Sequence, residues 1–299
     1  MTEQNKLQPA ELKDQLAEIT ETMQRERVEF SPEIQKYFDE EMARFTELMA
    51  NGQMPIKKDL DEFIGKIKLY VENEKFIQRD MSKSYDEMVY TLNSYGYKDK
   101  RPDKETVLNA IRELGPEMIQ NIRGFIWPKI IMTPKVTLAS MKAKIDNNKK
   151  FPDQKDVFFQ ETPLSELWGN QPDAFTVSVV EGAITLPQLP SDIRNLTLGE
   201  KYQYLYEDYK KRGMKMISTR EYMMLLQQFL PTYRFSKNKI NVLDFYDATI
   251  LNCDHLKEIE MIPYGFWHPE DEKYKLLRDP PQTQEESFNS RPSVKVMEI

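Results

Sequence analysis

The chain has few of the residues on which common enzyme mechanisms depend. Of its 299 residues, one is cysteine, two are histidine and ten are glycine. The single cysteine, Cys253, excludes an intramolecular disulfide and a four-cysteine zinc site. The sequence contains no Gly-x-Ser-x-Gly nucleophile motif, no Gly-x-x-x-x-Gly-Lys phosphate loop and no Gly-x-Gly-x-x-Gly nucleotide motif. Specific signatures of covalent catalysis and of nucleotide binding are therefore missing.

Long apolar runs are missing as well. The longest such run, residues 125–132, is interrupted by Pro128 and Lys129 and is too short to span a bilayer. The first six residues lack the apolar centre of a signal peptide. We therefore expect a soluble protein in the reducing environment of the cytoplasm, without membrane insertion.

The charge is acidic overall but unevenly distributed. Apolar residues make up 39% and aromatic residues 11% of the chain, enough to form a core. The net charge of −7 disfavours nonspecific binding to nucleic acid over the whole surface. Residues 98–150, however, carry 12 basic and 6 acidic side chains. This basic segment is a candidate surface for a partner.

The first 124 residues show apolar positions at helical spacing. Such stripes occur over residues 12–23, 34–49, 60–71, 81–95 and 107–114. The last two of these predicted helices end at Gly96 and Gly115, and glycine is a typical helix stop signal. Because helices with one apolar stripe are stable only when packed together, we predict a helical bundle region over residues 1–124.

The pattern changes after Gly124. Residues 125–132 form an extended segment, and Pro128 places it at a sheet edge or a bend. Residues 174–180 alternate as a strand does, and residues 240–251 and 259–267 are β-like. The sequence thus predicts a smaller mixed α/β domain over residues 125–278, and an α+β fold class for the whole chain.

Two capping boxes mark helix starts in this domain. Thr197 and Glu200 form the first, and Ser218 and Glu221 form the second. The helices that they open are predicted to end at Gly213 and Pro231. Residues 279–299 are rich in Pro, Gln, Ser, Glu and Asn, and we predict a disordered, flexible tail there.

Three residues are candidate metal ligands. Cys253, His255 and His268 lie close together in sequence, with acidic neighbours. Their spacing matches no established zinc pattern, so a buried cysteine and two surface histidines are the simpler interpretation. We predict no metal and no cofactor.

Other residues are candidates for contact with a partner protein. They are basic or aromatic side chains of the basic segment and one tyrosine of the first capped helix: Arg123, Trp127, Lys129, Lys142 and Tyr204. Abundant methionine and tyrosine are typical of adaptable protein surfaces.

The functional hypothesis rests on these absences and surfaces. It is a non-catalytic protein interaction protein, an adaptor or scaffold subunit of a larger cytoplasmic assembly. One alternative is a hydrolase or transferase that uses Asp and Glu, or a metal near Cys253, His255 and His268. A second alternative is a nucleic-acid-associated factor that uses residues 98–150.

Overall fold

The computed structural model describes most of the chain, with gaps. The described residues are 14, 17, 20, 21, 32–53, 57–98, 100–150, 158–160, 174–183, 186–235, 249–252, 261–268, 273–284 and 286–299. The first predicted helix, residues 12–23, falls largely outside them. The chain divides into two compact units, Met1–Asp80 and Met81–Ile299. This division lies before the predicted boundary at residue 124, because the helices after Met81 belong with the sheets.

The first unit contains two described helices, α1 (Pro32–Ala50) and α2 (Lys57–Phe76). Their apolar stripes form one core, in which Phe45, Leu60 and Phe63 are almost fully buried. The rings of Phe45 and Phe63 meet edge to face, with centroids 5.4 Å apart. Burying one such side chain contributes about 1.5–3 kcal/mol. The helical stripes predicted for residues 34–49 and 60–71 are confirmed.

A π-helical segment, Ile77–Met81, follows α2 directly. It leads without a break into α3 (Ser82–Ser94). The division between the two compact units falls inside this segment. A π turn holds an extra residue, and such turns are rare and occur mostly as single bulges inside α-helices.

The second unit contains the remaining helices. They are α3, α4 (Lys104–Arg112), α5 (Pro116–Arg123), α6 (Leu138–Asp146), α7 (Ser191–Arg194), α8 (Leu198–Lys211) and α9 (Thr219–Phe235). Both predicted capping boxes are confirmed. The Glu200 carboxylate accepts the Thr197 N–H at 2.9 Å, and Glu221 accepts the Ser218 N–H at 2.7 Å. Helix α9 continues past Pro231, where the sequence predicts its end.

Nine described strands form two sheets. In chain order they are β1 (Pro128–Thr133), β2 (Phe158–Gln160), β3 (Thr176–Glu181), β4 (Lys215–Met216), β5 (Thr249–Ile250), β6 (Ile262–His268), β7 (Lys273–Asp279), β8 (Asn289–Ser290) and β9 (Pro292–Glu298). The four-stranded sheet has the order β1-β3-β9-β4 and is antiparallel throughout. The five-stranded sheet has the order β2-β7-β6-β5-β8. The architecture is mixed α+β.

Strand β1 is an edge strand, as Pro128 predicts. Its outer edge is closed by side chains of two helices. The Ser84 hydroxyl accepts the Ile130 N–H at 2.7 Å, and the Gln228 amide donates to the Ile130 carbonyl at 3.2 Å. These contacts satisfy backbone groups that an open edge would offer to another chain.

The predicted tail is wrong, because residues 279–299 contain two strands. Strand β9 lies between β3 and β4, and Ser293 and Val294 are buried in it. The last residue, Ile299, exchanges two backbone hydrogen bonds with Phe175, both 2.9 Å long. Polar composition misleads here, because the central strand buries small polar side chains as well as apolar ones.

One arginine connects the two sheets. Arg291 stands between β8 of the five-stranded sheet and β9 of the four-stranded sheet, and its side chain is fully buried. Its guanidinium donates to the carbonyls of Glu181 and Ala183 at 3.2 and 2.5 Å, and to the Thr249 hydroxyl at 3.3 Å. Two carbonyls next to the four-stranded sheet and one hydroxyl of the five-stranded sheet thus offset part of the cost of burying the charge.

None of the described helices combines enough length with enough apolar character to cross a membrane.

Candidate binding cleft

A cleft of about 430 Å³ opens on the surface of the second unit. Its walls come from α5, from the turn before β1, from the extended segment 186–190 and from α8. Residues at the β8–β9 connection also line it. We refer to this surface as the cleft.

The Glu181 carboxylate fixes the turn on one side of the cleft. Placed at the end of β3, it accepts backbone N–H groups from Ile126 at 2.6 Å, Trp127 at 3.0 Å and Ala183 at 2.8 Å. Gly182 allows this close approach, since a Cβ there would lie 2.5 Å from the Lys129 side chain. The turn is therefore held through its backbone, and Ile126 and Trp127 are exposed, whereas Phe125 is buried. Ile126 is 62% exposed.

Helix α8 forms the opposite wall. Tyr204 is 41% exposed and lines the cleft. Tyr209, on the same helix, is buried, and its hydroxyl donates to the Ser290 carbonyl at 2.9 Å. Burial raises the pKa of Tyr209 well above its ordinary value. Arg212 and Asp208 pair at 2.5 Å where the helix meets solvent.

Segment 186–190 is held in place by side-chain contacts. The Asn289 amide donates to the Pro187 carbonyl at 2.9 Å. Arg194 of α7 donates to the Gln188 side chain at 3.1 Å. The third wall of the cleft is thus fixed to the sheet and to a helix, so the cleft is largely formed before any ligand arrives.

Four of the five ionisable groups of the cleft have a partner within the protein. The ionisable side chains that line it are Glu181, Tyr204, Asp208, Tyr209 and Arg212. Glu181 accepts three backbone N–H groups, Tyr209 donates to a carbonyl, and Asp208 and Arg212 pair with each other. A general acid or base needs a proton-exchanging group directed at its substrate.

Exposed apolar side chains gather at the cleft. Among the described residues, the large apolar side chains classed as exposed are Tyr90, Ile126, Trp127, Tyr204 and Ile299. Ile126 and Tyr204 line the cleft, and Trp127 follows Ile126 directly. Trp127 is 40% exposed, with its ring 5.3 Å from that of Phe229. Clustered exposed apolar groups mark interaction surfaces more often than single ones do.

The predicted contact residues fall into two groups. Trp127 and Tyr204 are exposed, and both belong to the cleft or its margin. Lys129 is only 5% exposed and pairs with Glu87 at 2.5 Å, so its prediction as a surface contact is wrong. Lys142 is half-buried and pairs with Asp146 on α6 at 2.5 Å. Arg123 is half-buried in the last turn of α5.

Two of the three candidate metal ligands lie outside the described residues. Cys253 and His255 lie outside the described residues, and His268 ends β6. Within the ranges that the structure describes, no three His, Cys, Asp or Glu side chains form a set that could hold an ion.

The sequence does not reveal the other residues of the cleft. Glu181 and Gly182 look like a simple turn, and Ile126 looks like part of a core strand. Arg212 looks like the basic end of a capped helix. Their shared location depends on the pairing of β1 with β3 and of β3 with β9, which local patterns do not specify.

Comparison with known proteins adds no relative. No protein-family model matches the chain, and neither does any curated protein or solved structure. The function is therefore inferred from the cleft.

Proposed function

We propose that this protein is a non-catalytic interaction protein, an adaptor or scaffold subunit of a larger cytoplasmic assembly, and that its cleft binds a segment of a partner protein. One observation carries the proposal. Three of the five exposed large apolar side chains in the described residues, Ile126, Trp127 and Tyr204, lie in the cleft or at its margin.

The composition of the cleft fits a protein partner. Binding energy at protein interfaces is concentrated in a few residues, and Trp, Tyr and Arg are enriched among them. Here Trp127, Tyr204 and Arg212 occur together, beside the apolar side chain of Ile126. The cleft volume of about 430 Å³ suits one or two anchoring side chains.

The geometry also indicates the chemistry of the partner segment. Ile126 and Tyr204 offer apolar contact to a large hydrophobic side chain. The neighbouring Arg212–Asp208 pair is exposed and can exchange its internal contact for a polar or charged group of the partner. We therefore expect an extended segment that carries an apolar anchor next to a polar residue.

Site-specific photocrosslinking tests this proposal. A photoreactive phenylalanine derivative replaces Tyr204 in one variant and Tyr90 in a matched control, because both tyrosines are exposed and lie on helices. We expect a single partner protein to be captured in stoichiometric yield from position 204 and not from position 90. Mass spectrometry of the cross-linked product identifies the partner and its contacting segment.

A second variant links capture to the cleft. Ile126→Asp places a charge at the apolar wall, and we expect it to weaken binding of the identified partner at least tenfold, or about 1.4 kcal/mol. Its fold is checked by urea unfolding, since Ile126 is exposed and its loss leaves the core intact. Equal capture from both positions, or an affinity unchanged by Ile126→Asp, would contradict the proposal.

A further inference from the structure

Ten of the twelve cations in the basic segment 98–150 fall into two groups. In the first group each cation has a carboxylate partner: Lys104 with Asp86, Arg112 with Glu105, Lys129 with Glu87 and Lys142 with Asp146. The second group is defined by its position around the last turn of α3. We call it the lysine patch, and its members are Lys98, Lys100, Arg101, Lys144, Lys149 and Lys150.

Three contacts show that the patch is a spatial cluster. Lys144 donates to the Gly96 carbonyl at 2.9 Å, and Lys150 donates to the Ser94 hydroxyl at 3.0 Å. Arg101 donates to the Asn93 side chain at 3.1 Å. Residues 93–96 end α3 and form the following turn. Cations distant in sequence therefore meet at one helix end.

Most of the charge of the patch is not neutralised by its described surroundings. Among the residues that the structure describes, no carboxylate lies within ion-pair distance of five of the patch cations: Lys98, Lys100, Arg101, Lys144 and Lys149. Lys98 and Lys149 are exposed members of this group. Closely spaced like charges repel each other, and a polyanion relieves that repulsion.

An exposed aromatic ring lies within the patch. Tyr90 stands on the last turns of α3 and is 54% exposed. The Lys150 ammonium lies 4.2 Å from the centre of its ring. Hydrogen bonding to Lys150 lowers the pKa of the Tyr90 hydroxyl. The patch thus combines several point charges with one accessible π face.

The composition of the lysine patch favours nucleic acid over an acidic protein as the partner. Protein interfaces are depleted in lysine, whereas phosphates are commonly bound by lysine. Single-stranded nucleic acid is bound by a basic surface together with aromatic rings on which bases stack. We propose that the lysine patch binds a single strand of nucleic acid through its phosphates, with one base stacked on Tyr90.

The acidic net charge of the chain is compatible with such a local site. Charges separated by more than about 8–10 Å are screened at physiological ionic strength, so distant carboxylates oppose binding only weakly. The site is separate from the cleft, and it adds to the proposed function. A substitution in the cleft should leave it unaffected.

Fluorescence anisotropy with a labelled single-stranded oligothymidine and a labelled oligouridine tests the site. If about four phosphates are contacted, we expect the affinity to fall about 50-fold between about 50 and 200 mM salt. The double variant Lys98→Glu/Lys149→Glu should lower affinity at least tenfold at low salt. The control Lys57→Glu/Lys58→Glu changes the net charge equally at exposed positions of α2 and should bind as the unaltered protein does.

Two further measurements complete the test. Tyr90→Ala should weaken binding about tenfold, because stacking of one base is lost, while Ile126→Asp should leave binding unchanged. Competition with polyglutamate at equal charge concentration distinguishes the alternative partner. The proposal would be overturned if polyglutamate displaced the labelled strand as efficiently as unlabelled oligonucleotide does. Equal losses of affinity in both double variants, or no binding at low salt, would overturn it as well.

Discussion

Glu221 carries a carboxylate into the interior at the start of α9. Its side chain is 2% exposed and accepts the Ser218 N–H at 2.7 Å, the Ser293 hydroxyl at 2.9 Å and the Lys215 ammonium at 3.1 Å. Burial alone raises the pKa of Glu221, but Lys215 and the hydrogen bonds outweigh it and hold the pKa below its ordinary value of 4.5. The charged form is therefore the one that stabilises the fold.

Replacement of this carboxylate should have a pH-dependent cost. Because the folded-state pKa of Glu221 is lowered, its stabilisation is present above the ordinary pKa and is lost as the pH falls through the folded-state pKa. We expect Glu221→Gln to lower the free energy of unfolding by about 1–3 kcal/mol at neutral pH, and less in acid. Urea titrations followed by tryptophan fluorescence at about pH 7 and about pH 3 measure both values.

An exposed glutamate supplies the control for that experiment. Lys295 lowers the pKa of Glu298, but this pair lies at the surface, where ion pairs contribute little to stability. Glu298→Gln should therefore leave the urea midpoint almost unchanged. A destabilisation by Glu221→Gln that is the same at both pH values would refute the role assigned to the buried charge.

At the scale of single elements, β9 shows how a central strand can have a polar sequence. Val294 is 3% exposed, while the next residue, Lys295, is exposed. Val294→Asp places an unpaired charge in the sheet and should cost about 3–4 kcal/mol of stability. Lys295→Gln on the exposed side should cost far less. Thermal and urea unfolding measure both costs, and similar stabilities of the two variants would contradict this prediction.

Sequence patterns predicted the elements whose signals are local. The capping boxes at Thr197 and Ser218 and the stop at Gly96 involve residues within a turn of each other, and the structure confirms all three. Proline was less decisive, since α9 includes Pro231. A helix supported by surrounding contacts can tolerate a proline that would end an isolated helix.

Strand β9 and the cleft were missed for a common reason. Both depend on partners far away in sequence: β9 pairs with β3 and β4, and Glu181 holds a turn more than fifty residues earlier in the chain. Tyr204, which lines the cleft, and Trp127, at its margin, were predicted from residue type alone. Their position beside Ile126 required the pairing of β1 with β3.

At the scale of the whole chain, the division into Met1–Asp80 and Met81–Ile299 has a testable meaning. All described strands, and therefore every sheet hydrogen bond, belong to the second unit. We expect a fragment of residues 77–299 to unfold cooperatively in urea, because both sheets and their covering helices remain. Circular dichroism at far-ultraviolet wavelengths follows the transition.

The complementary fragment provides the contrast. Residues 1–76 contain one described core of a few aromatic and aliphatic side chains between two helices. So small a core is marginal without further support, and we expect low helicity for this fragment alone. A gradual, non-cooperative transition of the 77–299 fragment would show that the second unit is not self-sufficient.

The buried guanidinium at the crossing between the sheets has a consequence for solvent access. Any fluctuation that separates one sheet from the other breaks either the contacts of Arg291 with Glu181 and Ala183 or its contact with Thr249. Partial opening would leave a buried cation with fewer acceptors, which is costlier than opening both layers at once. Amide protons of β3 and β5 should therefore exchange with deuterium at one shared, slow rate, as members of a single opening unit.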